Sequence, residues 1–340
     1  MKLNVAIAGA YKRSASDLFD ELLIREFPLD NIFALGVEEA IGKKIKFGED
    51  QTLTILDMHS FDFSTVDIVF FLDNKSLGEK YIQNAVEKGA LVIDNSGAYK
   101  DDFQVPLVIP EININELPYY KNKGIVSNPN CTTTLMLLAL APLHNEFIIN
   151  KIFVATYQAV SGAGNDALEE LFEQTRGIYS QQHVSKTKSV FTKQIAFNII
   201  PHIGEFLENG NTQEEQKLVN ETKRIISPNI DVFPTCVRVP VFVSHSMVLN
   251  IEFAHEINEE RIKEILYNNP NIAVVDHKAD EGYVTPHEVA GEDKVYISRI
   301  RIDNTYKNIL SLWLVGDNLR LGIAINMIKI AEEILKIPTE

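Results

Sequence analysis

With 340 residues the chain is longer than the roughly 250–300 at which a single hydrophobic core stops growing, which predicts two domains. An apolar content of 45% and 23% charged residues belong to an ordinary globular protein, and 32 basic against 47 acidic residues leave a net charge of −15 that repels nucleic-acid phosphates. Residues 1–10 carry one lysine and too short an apolar core for a signal peptide, and no later run approaches the roughly 20 apolar residues of a membrane span. Two cysteines, Cys131 and Cys236, are too few for a disulfide framework and lack metal-ligand spacing. The expectation is a cytoplasmic protein with free thiols and with no nucleic-acid, membrane or metal partner.

Residues 3–9 read as a buried strand, and 14–27 as a helix with Leu18, Phe19, Leu22 and Leu23 at helical spacing. Strands follow at 31–37 and 66–73, the second a continuous apolar run typical of a parallel sheet. A helix over 78–89 stops at Gly89, and residues 90–97 form another strand. This alternation predicts a Rossmann-like, doubly wound α/β domain. Beyond Cys131 a helical run at 132–147 leads into a different rhythm. Residues 150–162, 236–254, 296–304 and 309–318 read as antiparallel strands, with helices at 164–179 and 211–226 between them. This part is predicted to be an α+β domain with a mixed, largely antiparallel sheet. An amphipathic helix over 319–336 then returns to the first domain.

In the stretch SNPNCTTT, Pro129 stiffens a turn, Asn130 is a good cap, and Cys131 falls at the first turn of the next helix. Unpaired amides and the helix dipole there favour thiolate over thiol, as a nucleophile requires, although a small hydrophobe at a helix start explains the same residue without chemistry. The stretch is similar to the active-site segment of aspartate-semialdehyde dehydrogenases. The likeness continues through IDNSGAYKDDFQVPLVIPEIN ahead of it and TYQAVSGAG, NIIPHIGEFLENGNTQEEQKLVNET, VRVPVFVSHS and VGDNLRLG after it, in the family's order and over nearly the whole chain.

The resemblance implies reversible reductive dephosphorylation of L-aspartyl 4-phosphate to L-aspartate 4-semialdehyde, a step in biosynthesis of lysine, threonine and methionine, through a cysteine thioester and thiohemiacetal. It makes Cys131 the nucleophile, Gln158 the residue that orients the intermediate, and His245 the acid/base, for which an imidazole titrating near neutrality is suited. Arg238 is implied to grip the substrate α-carboxylate, and Glu221 its amine. Arg224 stands where many relatives hold phosphate with lysine. Asn130 and Lys100 complete the implied phosphate site, Lys100 replacing the usual arginine, so the charge remains without the bidentate fork. Cys236 reads as structural.

The implied cofactor is NADP(H), with NAD possible, placed by Gly9, Ser161, Gly162 and Asn318. The implied domains are 1–130 with 319–340 for the dinucleotide, and 131–318 for catalysis and for pairing into a homodimer through the antiparallel sheet. The cofactor loop departs from the family's G-A-T-G-A-V-G, since Tyr11 replaces the threonine, Lys12 the second glycine and Ala15 the third. Lys12 and Arg13 bring positive charge and Ser14 or Ser16 offers a cap for the helix that follows, which allows an altered phosphate cradle, while a solvated surface loop explains the same residues without function. Glu38 or Glu39 follows the second strand, where NADP-preferring relatives have arginine, and an acid there suits the ribose hydroxyls of NAD. Asp73 and Lys75 replace a small glycine-containing loop after the third. Two further readings stay open, a non-catalytic paralogue serving as a binding or partner subunit, and a reductase of another acyl phosphate such as N-acetylglutamyl phosphate. Cofactor binding discriminates the first, while Glu221 with Arg238 favours a free α-amino acid over the second.

Overall fold

A computed structural model describes residues 2–180 and 189–338, so positions 1, 339 and 340 of the expected segments lie outside the described residues. The chain divides into two compact units, Met1–Pro129 with Ile323–Glu340, and Asn130–Gly322.

In the first unit the strands are β1 (Leu3–Ala8), β2 (Leu29–Gly36), β3 (Lys44–Phe47), β4 (Gln51–Thr54), β5 (Leu56–Asp57), β6 (Ile68–Phe71), β7 (Leu91–Asp94) and β8 (Ile125–Ser127). All but β3 and β4 form one parallel sheet in the order β5-β2-β1-β6-β7-β8. Helix α1 (Arg13–Ile24) follows β1, α2 (Lys75–Glu87) follows β6, and α3 (Pro110–Asn113) is a single turn. Alternate residues of β1 point to opposite faces. Val5 and Ile7 join Leu18 and Leu22 of α1 and Ile328 and Ala331 of the C-terminal helix Asn326–Leu335. Ala6 and Ala8 join Ile82 and Ala85 of α2. Both faces are therefore covered, which is why β6 is buried throughout.

Helix α1 starts at Arg13, so Lys12 takes the N-cap position without a side-chain cap bond. Ser14 and Ser16 fall inside the first turn and do not cap it, contrary to expectation. The hairpin of β3 and β4 also escapes the sequence pattern, because only one residue in each strand, Phe47 and Leu53, is buried.

The second unit holds α4 (Cys131–Phe147), β9 (Ile149–Gln158), α5 (Asn165–Ser180), α6 (Gln213–Ile225), β10 (Asp231–Arg238), β11 (His245–Phe253), α7 (Glu259–Tyr267), β12 (Ile272–Val274), β13 (Val295–Ile302) and β14 (Ile309–Gly316). Its sheet runs β10-β9-β11-β14-β13-β12. The neighbours β9 and β10 are parallel, as are β12 and β13, while β11 and β14 pair antiparallel with their neighbours. The stretch read as one antiparallel region at 236–254 is thus two strands, and the first of them runs parallel to β9. The helices α5 and α6 carry the chain between β9 and β10, and a crossover of that kind returns a strand in the same direction.

The expected helix over 319–336 is also two pieces, a π-helical turn Arg320–Ile325 and the C-terminal helix. No described helix is long and apolar enough to cross a membrane.

Candidate active site

Three strand ends meet in the second unit. Parallel pairing of β9 with β10 sets Arg238 opposite Gln158, the last residue of each strand. Antiparallel pairing of β11 with β9 sets Ser246 opposite Tyr157, so His245, the first residue of β11, lies beside the same end. An antiparallel β10 would have carried Arg238 to the far end of the sheet.

Cys131 is the first residue of α4. The Asn130 Oδ1 caps that helix by accepting the backbone N–H groups of Thr132 at 2.8 Å and Thr133 at 3.4 Å. The Cys131 Sγ lies 3.7 Å from His245 Nε2. His245 is fully buried, and its Nδ1 accepts the backbone N–H of Ala159 at 3.1 Å. An Nδ1 used as acceptor leaves the ring proton on Nε2, aimed at the sulfur. Burial first, and then the nearby Arg238 guanidinium, hold the imidazole well below its ordinary range, so it is neutral near pH 7. The expectation of an imidazole titrating near neutrality is corrected accordingly. The Arg238 Nη1 donates to the carbonyl of the same Ala159 at 2.5 Å, so the backbone of one residue anchors both side chains.

Helix α6 faces the start of α4 with a row of ionisable residues. Glu214 is buried, and its Oε1 accepts from Asn130 Nδ2 at 3.0 Å and Gln158 Nε2 at 3.2 Å. Burial pushes its carboxyl up, but Lys217, Asn130, Arg238 and Gln158 together hold it below the usual carboxylate range. Lys217 Nζ lies 3.4 Å from Glu214 Oε2 and, like Arg238, is close enough to Cys131 to feel its charge. Glu221, buried two turns further on, accepts the backbone N–H of Asn130 at 2.7 Å. Arg224 is half-buried one turn beyond.

The sequence reading passed over Glu214 and Lys217, although their spacing of three, and of seven from Glu214 to Glu221, already put them on one helix face. It also passed over Gly322. A Cβ there would sit 2.7 Å from Cys131 Cβ and 3.0 Å from its Cα, so the π-helical turn closes on the nucleophile only with glycine. Gly162 is constrained in a related way, since a Cβ would come within 3.2 Å of Arg238 Nη1 and 3.4 Å of His245 Nε2. Asn318 Oδ1 accepts from Ser161 Oγ at 3.2 Å and Ser244 N at 3.0 Å, while its buried Nδ2 has no partner among the described residues. Cys236 is fully buried, its thiol pushed up to about 12 chiefly by burial.

The remaining predicted residues belong to the first unit. Lys100 follows β7, near enough to Asp94 to favour its charged form, though burial outweighs this and raises the carboxyl above its ordinary range. Gly9 has φ +85, and a Cβ on it would lie 3.0 Å from Asp73 N, so this turn and the one after β6 touch through glycine. Tyr11 and Lys12 both bond Asp73, the Tyr11 hydroxyl donating at 2.6 Å and Lys12 Nζ lying 3.4 Å away.

Comparison with known proteins agrees along the chain. Residues 4–119 match the family model described as semialdehyde dehydrogenase, NAD binding domain, and residues 140–321 the model described as semialdehyde dehydrogenase, dimerisation domain. The chain is 40% identical to the aspartate-semialdehyde dehydrogenase of Rickettsia bellii over 98% of each chain, and 39% identical to that of Aquifex aeolicus over 99% of each. The structure of aspartate semialdehyde dehydrogenase II from Vibrio cholerae, complexed with ASA, superposes with a TM-score of 0.94 at 37% identity, covering 99% of both chains.

Proposed function

The chain belongs to the aspartate-semialdehyde dehydrogenase family, and from that premise we propose that Cys131 carries the thiol chemistry of the reversible reductive dephosphorylation of L-aspartyl 4-phosphate to L-aspartate 4-semialdehyde. The protein is an NAD(P)-dependent, phosphorylating oxidoreductase of amino-acid biosynthesis. The observation that carries the assignment of roles is the 3.7 Å approach of His245 Nε2 to Cys131 Sγ at the capped start of α4.

The positive end of α4, Lys217 and Arg238 favour the thiolate of Cys131. It adds to the carbonyl carbon of the acyl phosphate, the carbon–oxygen bond to phosphate breaks, phosphate leaves, and a thioester remains. When bound, a nicotinamide would supply or take up the hydride that the change between thioester and thiohemiacetal requires. The neutral His245 donates its Nε2–H to the oxygen that becomes negative, and Gln158 fixes the acyl group beside it. Collapse of the thiohemiacetal releases the aldehyde and restores the thiolate.

Arg238 grips the α-carboxylate, its guanidinium held in orientation by Ala159. Glu221 meets the amine as the resemblance implies, and Glu214, on the same helix face and held ionised by Lys217, Asn130, Arg238 and Gln158, is a second carboxylate for it. Lys217 on the same turn supplies a phosphate-binding cation, with Asn130, Lys100 and Arg224 in the supporting roles that the family resemblance gives them. Asn318, whose buried Nδ2 has no partner among the described residues, would hold the nicotinamide end of the dinucleotide together with Ser161 and Gly162. Gly9, in the turn after β1, would lie beside the pyrophosphate. Glu38 and Glu39, exposed after β2, favour the ribose hydroxyls of NAD over the 2′-phosphate of NADP. Pairing of two chains through the sheet of the second unit and work in a reducing cytoplasm, where both thiols stay free, complete the reading.

The test is phosphate-dependent reduction of NADP and, separately, NAD by L-aspartate 4-semialdehyde, in wild type and Cys131→Ala. Turnover with either cofactor, falling at least about a thousandfold in a variant with an unchanged circular dichroism spectrum, is the expected result. Comparable turnover in the variant removes the mechanism. Silence of folded wild type with both cofactors favours a non-catalytic binding subunit.

A further inference from the structure

We propose that Tyr11 and Asp73 form a latch across the pyrophosphate position of the first unit, that the dinucleotide must open it to bind, and that Asp73 thereby sets how tightly the chain holds its cofactor. The inference rests on the reading of that unit as dinucleotide-binding.

The sheet order reverses at β1, with β2 on one side and β6 on the other. The crevice beyond the carboxyl ends of β1 and β6 is the place where such a sheet takes a pyrophosphate. Tyr11 comes from the turn after β1 and Asp73 from the turn after β6, so their 2.6 Å hydrogen bond spans that crevice. The Tyr11 ring reaches sideways as well. Its Cδ1 would lie 3.3 Å from a Cβ on Gly36, at the end of β2.

The charges are as informative as the shape. Asp73 is 3% exposed and carries a formal negative charge at the point where two phosphates would add theirs. Lys12 offsets it in the closed arrangement, lying 3.4 Å from Oδ1. Burial, then the bond to Asp73, raises the Tyr11 hydroxyl above its ordinary range, so the phenol keeps its proton and remains the donor.

Opening is chemically reasonable for the groups involved. Asp73 Oδ1 would retain the backbone N–H of Asn74, which it accepts at 2.9 Å. The Lys12 side chain is 35% exposed and free to transfer its charge from carboxylate to phosphate. The first amides of α1, which receive no side-chain cap, would face the anion. A small loop in this position admits a dinucleotide directly, whereas here the fraction of open molecules scales the observed affinity.

The test is equilibrium and stopped-flow binding of NADH and NADPH to the full-length wild type, Tyr11→Phe, Asp73→Asn and Asp73→Ser, read by nicotinamide fluorescence. Both Asp73 variants are expected to tighten the Kd about tenfold, and Tyr11→Phe to raise the association rate about threefold or more while leaving the carboxylate in place. Wild type that binds dinucleotide while Tyr11→Phe and the Asp73 variants bind it no faster and no tighter overturns the latch alone. Absence of binding in all four proteins, shown to be folded by circular dichroism, overturns both the latch and the dinucleotide reading of this unit.

Discussion

His245 shows how a single side chain is specified by its neighbours. The Ala159 N–H occupies Nδ1 and burial forbids the imidazolium, so the ring is a donor at Nε2 and little else. The unfolded chain takes up that proton near pH 6.5, and the folded chain does so only at lower pH. Between those two values the unfolded state binds more protons, so stability falls as pH falls below about 6.5, by at most about 1.4 kcal/mol per pH unit. Thermal melting at pH 7.5 and 5.5 is expected to show this loss in wild type and a smaller one in His245→Asn, which keeps an acceptor for Ala159. An equal loss in the variant assigns the pH dependence elsewhere. Glu214 acts in the same sense but lower, because its depressed value contributes stability that disappears only as pH falls through the folded-state value, below the ordinary carboxylate range.

At the scale of elements, the nucleophile is held from three directions within the second unit. Helix α4 supplies its capped start, α6 fixes Asn130 through Glu214 and Glu221, and the π-helical turn at Arg320–Ile325 brings Gly322 against Cys131. Wide turns of this kind recur at functional sites, and here one extra residue per turn lets backbone replace side chain beside the thiol. Gly322→Ala would force its methyl within 2.7 Å of Cys131 Cβ, and neither atom is the end of a flexible chain. The expected cost is about 1–3 kcal/mol of stability together with slower alkylation of Cys131 by iodoacetamide. Unchanged alkylation and melting would mean that the turn relaxes freely.

For the molecule as a whole, one face of the second unit's sheet leaves large aromatic side chains exposed among polar ones such as Asn250 and Ser311. Phe153 and Phe233 face each other in register, stack at 4.8 Å and remain 45% and 51% exposed. Val248 lies opposite Trp313 farther along the sheet, beside a cavity of about 300 Å³ that Tyr283, Arg299 and Arg301 also line. Exposed aromatic residues with arginine at the margin are the composition that the proposed pairing through this sheet requires. Light scattering of wild type is expected to give the mass of two chains, and Phe153→Ser with Phe233→Ser to weaken pairing at least about tenfold. A monomeric wild type would remove the homodimer from the proposal.

Local patterning determined a good deal of this protein. The apolar run of β6, the helical spacing of Leu18 and Leu22, and the turn that places Cys131 at a helix start are properties of neighbouring residues, and periodicity reports them. Motifs carried Gln158, Arg238 and His245, though without their mutual geometry. Only tertiary structure decided the direction of β10, which turns on a crossover, the protonation site of His245, which turns on the Ala159 N–H 86 residues away, and the conversion of one predicted helix into a π-helical turn and a helix. Glu214 stayed hidden because a buried carboxylate looks like any surface acid until Asn130, Gln158 and Lys217 are seen around it. Tyr11 and Asp73 read as bulky intrusions into a cofactor loop, but that they bond each other, 62 residues apart, depends on two turns folding against one another. Sequence sets what each segment can form by itself, whereas the charge state and partner of a buried group depend on what the rest of the chain brings beside it.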